Sequence, residues 1–229
     1  MESFWFYRPV SNHPPRPIQT PDELRDSDAL AISCTQTDLS PSRQRALVRE
    51  WCSLLPTLSG VRLLWLTSRV PQTLFDAACQ TPGLEGLWVK WSGIKTLEAL
   101  TDAARLRHFH LGSSTALESL APLHACTNLE SVGLENIKRI SELDPLSSLS
   151  RLEELSVEGS TWTTQRVDTM TPVGELSELR YLGLANLRSA DGTLRPLFKL
   201  RKLVHFHAAL WWDPAELAQL RSLNPGLVE

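Results

Sequence analysis

The 229-residue chain lacks most features that mark a membrane, secreted or nucleic-acid-binding protein. It has no apolar run near the roughly 18 residues that suggest a membrane-spanning helix. Met1 to Val10 has no basic stretch followed by a long apolar one, so a secretory signal is not expected. Positive charge is not in excess: 23 Lys and Arg stand against 26 Asp and Glu, a net charge of −3. No basic stripe is visible that would displace counterions from phosphates, so neither nucleic acid nor a membrane is an expected partner. The four cysteines, Cys34, Cys52, Cys79 and Cys126, form no CxxC pair and are too few for a disulfide scaffold. They are expected to be buried, reduced thiols, which implies a cytoplasmic location. No GxxxxGK[ST], GxSxG or HExxH motif occurs, so no catalytic residue, cofactor or metal is assigned.

What the chain does have is a repeat. The pattern apolar-x-x-apolar-x-apolar occurs at Val61-Leu64-Leu66, Leu84-Leu87-Val89, Leu106-Phe109-Leu111 and Leu129-Val132-Leu134. It continues at Leu152-Leu155-Val157, Leu179-Leu182-Leu184 and Leu203-Phe206-Ala208. Successive starts differ by 23, 22, 23, 23, 27 and 24 residues, and Leu227 stands where an eighth unit would begin. Each triplet core alternates as a short strand does. Between cores the apolar residues recur every third position, as in Leu143, Leu146, Leu149 and Leu152. That period fits tight 3₁₀ turns better than an α-helix. One such unit cannot bury its apolar edge alone, but stacked units can.

The pattern resembles the leucine-rich repeat, LxxLxLxx(N/C)xL, in the 22-to-24-residue form similar to internalin repeats, over residues 58 to 227. The resemblance implies an α/β solenoid, with a parallel sheet on the concave face and 3₁₀ or short helices on the convex face. The expected organisation is a capping segment (1–27), a β-α unit that starts the sheet (28–57), the array (58–210) and a C-terminal cap helix (211–229). Two departures stand out. Ser92, Ser114 and Ser160 occupy the family's Asn position, which predicts a less regular inner ladder, and Asn136 and Asn186 lie one place early.

The ends have their own signals. Ala29 to Cys34 reads as a strand, and Ser40-Pro41 as the start of a helix running through Leu55. The return from Pro71 to Gln80 lacks the period of three and is also expected to be helical. Asp213, Pro214 and Glu216 look like an N-cap, a first-turn proline and a third-position capping acid. Trp211 and Trp212 are expected to pack on the last strand. Phe4, Trp5, Phe6 and Tyr7 are expected to cover the first unit, with docking of Pro14 to Pro17 as a polyproline peptide the alternative. The fifth unit is long, and its excess around Ser160 to Arg166 is either a contact loop or a tolerated insertion.

If the apolar pairs point inward, strand alternation turns three columns outward. The middle column reads Trp65, Trp88, His110, Gly133, Ser156, Gly183 and His207. The column before it reads Leu63, Gly86, His108, Ser131, Glu154, Tyr181 and His205; the one after carries Glu135 and Glu158. Three exposed patches are expected: Trp65, Trp88 and His110 with Trp91 at the edge; Glu135, Glu154 and Glu158 with Glu130 and Glu153 nearby; and Tyr181, His205 and His207. His108 is a further expected anchor. The histidine pairs lie four repeats apart without an adjacent outward carboxylate or thiol, which argues against a metal site. Trp and Tyr are favoured in interface cores and charges set specificity. These residues together suggest a non-catalytic module that binds a protein partner, one with a basic patch for the acidic residues. A bacterial immunity protein that blocks a toxin is the sharper version. The competing class is an enzyme or its regulatory subunit, since repeats of this spacing resemble some phosphatase regulators.

Overall fold

The computed structural model describes residues 14–208 and 211–228. Phe4 to Tyr7, and the capping role expected of them, lie outside the described residues. Eight strands form one parallel sheet in sequence order, broken only by small excursions in the fifth and sixth units. They are β1 (Ala29–Ile32), β2 (Leu63–Val70), β3 (Gly86–Ser92), β4 (His108–Leu111), β5 (Ser131–Glu135), β6 (Glu154–Glu158), β8 (Tyr181–Leu184) and β10 (His205–Ala208). The excursions hold β7 (Gln165–Val167) and β9 (Leu187–Ser189), which pair in parallel with each other.

The repeat phase predicts the register. Leu64, Leu87, Phe109, Val132, Leu155, Leu182 and Phe206 sit side by side on adjacent strands. All seven are at most 2% exposed. The leading apolar residues, from Val61 to Leu203, are at most 4% exposed, and one continuous core runs the length of the array.

The returns follow the period of three. Glu98–Asp102, Ala121–Ala125, Asp144–Ser148 and Arg195–Lys199 are 3₁₀ turns. The long fifth unit substitutes a single α turn, α3 (Thr171–Gly174). The first two returns are true helices, α1 (Pro41–Leu54) and α2 (Gln72–Cys79). In α1 the Ser40 hydroxyl accepts from the Arg43 N–H, and Leu47 and Trp51 are fully buried. Trp51 also donates its indole N–H to the Gln19 carbonyl at 2.9 Å. Beside it, Ile18 forms a parallel bridge to Ile32, so residues before β1 blunt that edge of the sheet.

At the far end α4 (Pro214–Leu223) packs against the Arg195–Lys199 turn, and its Asp213 carboxylate accepts from the Ala215 N–H. Glu216 departs from the expected capping box. It reaches back one repeat, accepting from the Thr193 hydroxyl, the Leu194 N–H at 2.7 Å and Arg195. Trp212 is buried, whereas Trp211 is 43% exposed, donates to the Leu187 carbonyl and carries Arg188 over its ring. Val228 bridges to His205, in step with the eighth repeat start.

Candidate functional site

The concave face is built by the three outward columns. Trp65, Trp88, His110, Gly133, Ser156, Gly183 and His207 are register partners across neighbouring strands, as are Leu63, Gly86, His108, Ser131, Glu154, Tyr181 and His205. The structure thus brings the residues of these columns onto one surface. It does not leave them equally open.

At the N-terminal side, Trp88 and His110 stack nearly parallel, with centroids 5.3 Å apart and planes 7° off. Both are half-buried; Trp91, three residues along β3 and in register with Arg69 rather than with the outward columns, is 40% exposed. Burial pushes the imidazoles of His108 and His110 down to about 4, with Arg107 adding repulsion at His108. Both rings are therefore neutral near pH 7 and present aromatic faces. At the C-terminal side Tyr181 and His205 form a second stack, with centroids 4.9 Å apart. His207, two residues on, is exposed.

Between the stacks, Glu135 and Glu158 are direct register partners on β5 and β6. Burial first, and the Glu158 charge second, raise the Glu135 carboxyl above its ordinary value, while the Ser113 backbone opposes the rise. Glu158 accepts from the Ser156 hydroxyl at 2.6 Å. Two carboxylates thus converge on a floor of small residues, Gly133 and Ser156.

The expectation of a fully exposed row needs correction at three positions. Trp65 is 3%, Glu154 4% and Tyr181 5% exposed. Alternation fixes the direction of a side chain but not how much its neighbours cover it. Trp65 is flanked in register by Ala31 and Trp88, and His205 lies flat on Tyr181. Glu130 also leaves the acidic patch. Arg107 grips it with two bonds of 2.9 and 2.6 Å, and Arg151 lies 3.6 Å away. Arg62 grips Glu85 in the same way one repeat pair earlier. This alternating ladder, at the residues just before each strand, was visible in the sequence as charges 22 and 23 residues apart: Arg62, Glu85, Arg107, Glu130.

The turn residues also differ from a simple weak ladder. Ser92 and Ser114 bond directly across adjacent repeats at 2.5 Å. Ser160 instead accepts the Trp162 and Thr163 N–H groups and shapes its own loop. Asn136 and Asn186 take left-handed backbone at φ 49° and end β5 and β8. Their amides donate to the Ser113 hydroxyl and the Ser160 carbonyl. The fifth-unit excess becomes β7, which pairs with β9 of the sixth unit, and the loop carrying Trp162, which is 92% exposed.

The geometry agrees with known structures. An internalin C2 from Listeria monocytogenes superposes with a TM-score of 0.61 at 22% identity, covering 80% of this chain and 81% of that one. A second Listeria monocytogenes internalin gives 0.54 at 17% identity, covering 86% of this chain and 65% of the other. The fold is therefore an internalin-like leucine-rich-repeat solenoid. No family model matches the chain, and no curated protein does.

Proposed function

We propose that the chain is a non-catalytic binding module that holds a protein partner on its concave face. The observation that carries this reading is the Trp88–His110 stack placed two strands from the Glu135–Glu158 pair on one rigid sheet. Planar side chains held by stacking give a partner contact area at small entropic cost. The paired carboxylates select a partner segment carrying Lys or Arg. Trp88, His108 and His110 act as anchors with Trp91 at their edge, and His205 and His207 as a second contact; Trp65 and Tyr181 support them from the neighbouring strands. Blocking a partner's active site, as an immunity protein does, is the sharper form of the same reading. Cytoplasmic location belongs to the proposal too. It is supported by four free thiols, with burial pushing Cys34 up to about 12 and Cys126 to about 11, so none is a ready thiolate.

The test is affinity capture with the full chain, followed by calorimetry on the captured protein. Trp88→Ala should weaken binding by about 2 kcal/mol or more, as expected of a central aromatic anchor. Glu158→Lys should weaken it further and reverse its salt dependence. Unchanged affinity in both variants removes the concave face from the binding surface.

A further inference from the structure

A groove of about 700 Å³ lies away from the concave columns, between α1 and the segment joining β2 to α2. Arg45 and Arg49 line it from α1 and Arg69 from the end of β2. All three are exposed, and among the described residues none of them enters an ion pair. Among the described residues no acidic side chain lines the groove. This is a local reversal in a chain whose net charge is −3. Cationic groups lining one cleft without counter-charges repel each other unless something anionic joins them.

The walls are built before any ligand arrives. Gln36 takes left-handed backbone at φ 56°, and its N–H donates to Gln44 Oε1 at 2.7 Å. Gln36 Oε1 accepts the Arg69 N–H at 3.0 Å, so the loop after β1 is tied to both α1 and β2. A Cβ at Gly93 would sit 3.6 Å from Arg69 Nη2, so the missing side chain keeps that side of the guanidinium open. Gln72 and Thr73, in the first turn of α2, line the same space, and that turn has neither a side-chain cap nor an acid. Val48, Val70 and Pro71 supply apolar wall between the charges.

We propose that this groove is a second docking site, which takes an Asp- and Glu-rich segment of a partner polypeptide. Arg45 and Arg49 are one turn apart on one helix face, and Arg69 reaches in from the opposite wall. Charges spread along a groove match carboxylates spread along a chain, each guanidinium taking one in a forked pair of bonds. The apolar wall receives the aliphatic parts of the residues between. The space far exceeds what a single phosphate group fills. The site is independent of the concave face, and its charge preference is the opposite one.

Peptides selected from a random displayed library on the full chain test this, with counter-selection on an Arg45→Glu, Arg49→Glu, Arg69→Gln variant. All three side chains are exposed, and a thermal melt of the variant matching the parent confirms that it folds. The expected result is enrichment of acidic sequences. Their affinity should fall about tenfold or more in the variant, fall with salt and stay unchanged in Trp88→Ala. Recovery of neutral or basic sequences, equal binding to the variant, or no enrichment overturns the proposal. So does release of the peptide by millimolar inorganic phosphate as readily as by free acidic peptide, which would make the groove a phosphate site. Loss in Trp88→Ala but not in the arginine variant would return the peptide to the concave face.

Discussion

His110 shows how one residue couples the face to stability. Its ring is stacked on Trp88, and burial holds it neutral down to about pH 4. His108, two residues earlier, behaves alike. In the unfolded chain both imidazoles titrate near 6.5. Between pH 6.5 and 4 the unfolded state therefore binds protons that the folded state refuses. Stability is full above that window and is lost as pH falls through it, by about 2 kcal/mol per histidine on going from pH 7 to 5. The raised Glu135 carboxyl opposes this, because the folded state takes that proton earlier. Urea unfolding at pH 7 and pH 5 measures the balance. His110→Gln should remove about half of the histidine-driven loss, and an unchanged slope in that variant would show that the ring titrates freely. The other residues with visible roles are Asn136 and Asn186. Their identity could be read from the sequence as misplaced repeat asparagines. Their left-handed turns could not, since φ depends on where the strand must end.

At the scale of the element, caps were legible where they are local. Ser40 and Asp213 each bond an N–H within three residues, so the sequence contains both partners. Glu216 was misread because its partners lie more than twenty residues away, in the turn before β10. Charge spacing at helix starts predicts a local box, yet a bond to the preceding repeat wins when that repeat offers an orphan backbone N–H at Leu194. The two acids should therefore differ when removed. Asp213→Ala loses one cap, at about 1 kcal/mol. Glu216→Ala leaves the Leu194 N–H, the Thr193 hydroxyl and Arg195 without their acceptor and should cost about 2–3 kcal/mol. Chemical denaturation of the two variants side by side checks the order; a larger loss in Asp213→Ala would mean that the clamp adds nothing. The arginine groove escaped sequence reading for a related reason. Arg45 and Arg49 share a helix face, but Arg69 joins them only once β2 has paired with β1 and turned into α2. The cover over Trp65 and Tyr181 is likewise a property of neighbouring strands rather than of a single one.

The whole molecule is a stack whose units touch chiefly the units beside them. The repeat phase alone was enough to foresee the strand order and register, because a single inward column recurs with nearly constant spacing. Such arrays have stability close to a sum of unit terms and nearest-neighbour interfaces. The core here is one continuous cluster, so damage at the centre and at the end should have different reach. Leu155, 1% exposed on β6, packs between two neighbouring repeats, and Leu155→Ala should cost about 2–5 kcal/mol and lower the whole unfolding transition. Leu220 is fully buried on α4, which packs against the Arg195–Lys199 turn of the last unit. Leu220→Ala should leave amide exchange in β2 to β4 near that of the parent while speeding it in β10, the end strand that α4 follows. Exchange measured strand by strand in both variants distinguishes a graded array from a single indivisible block. If Leu220→Ala accelerated β2 as much as β10, the nearest-neighbour description would fail, and the concave face could no longer be treated as a platform whose anchors at Trp88 and His110 are insulated from events at the far end.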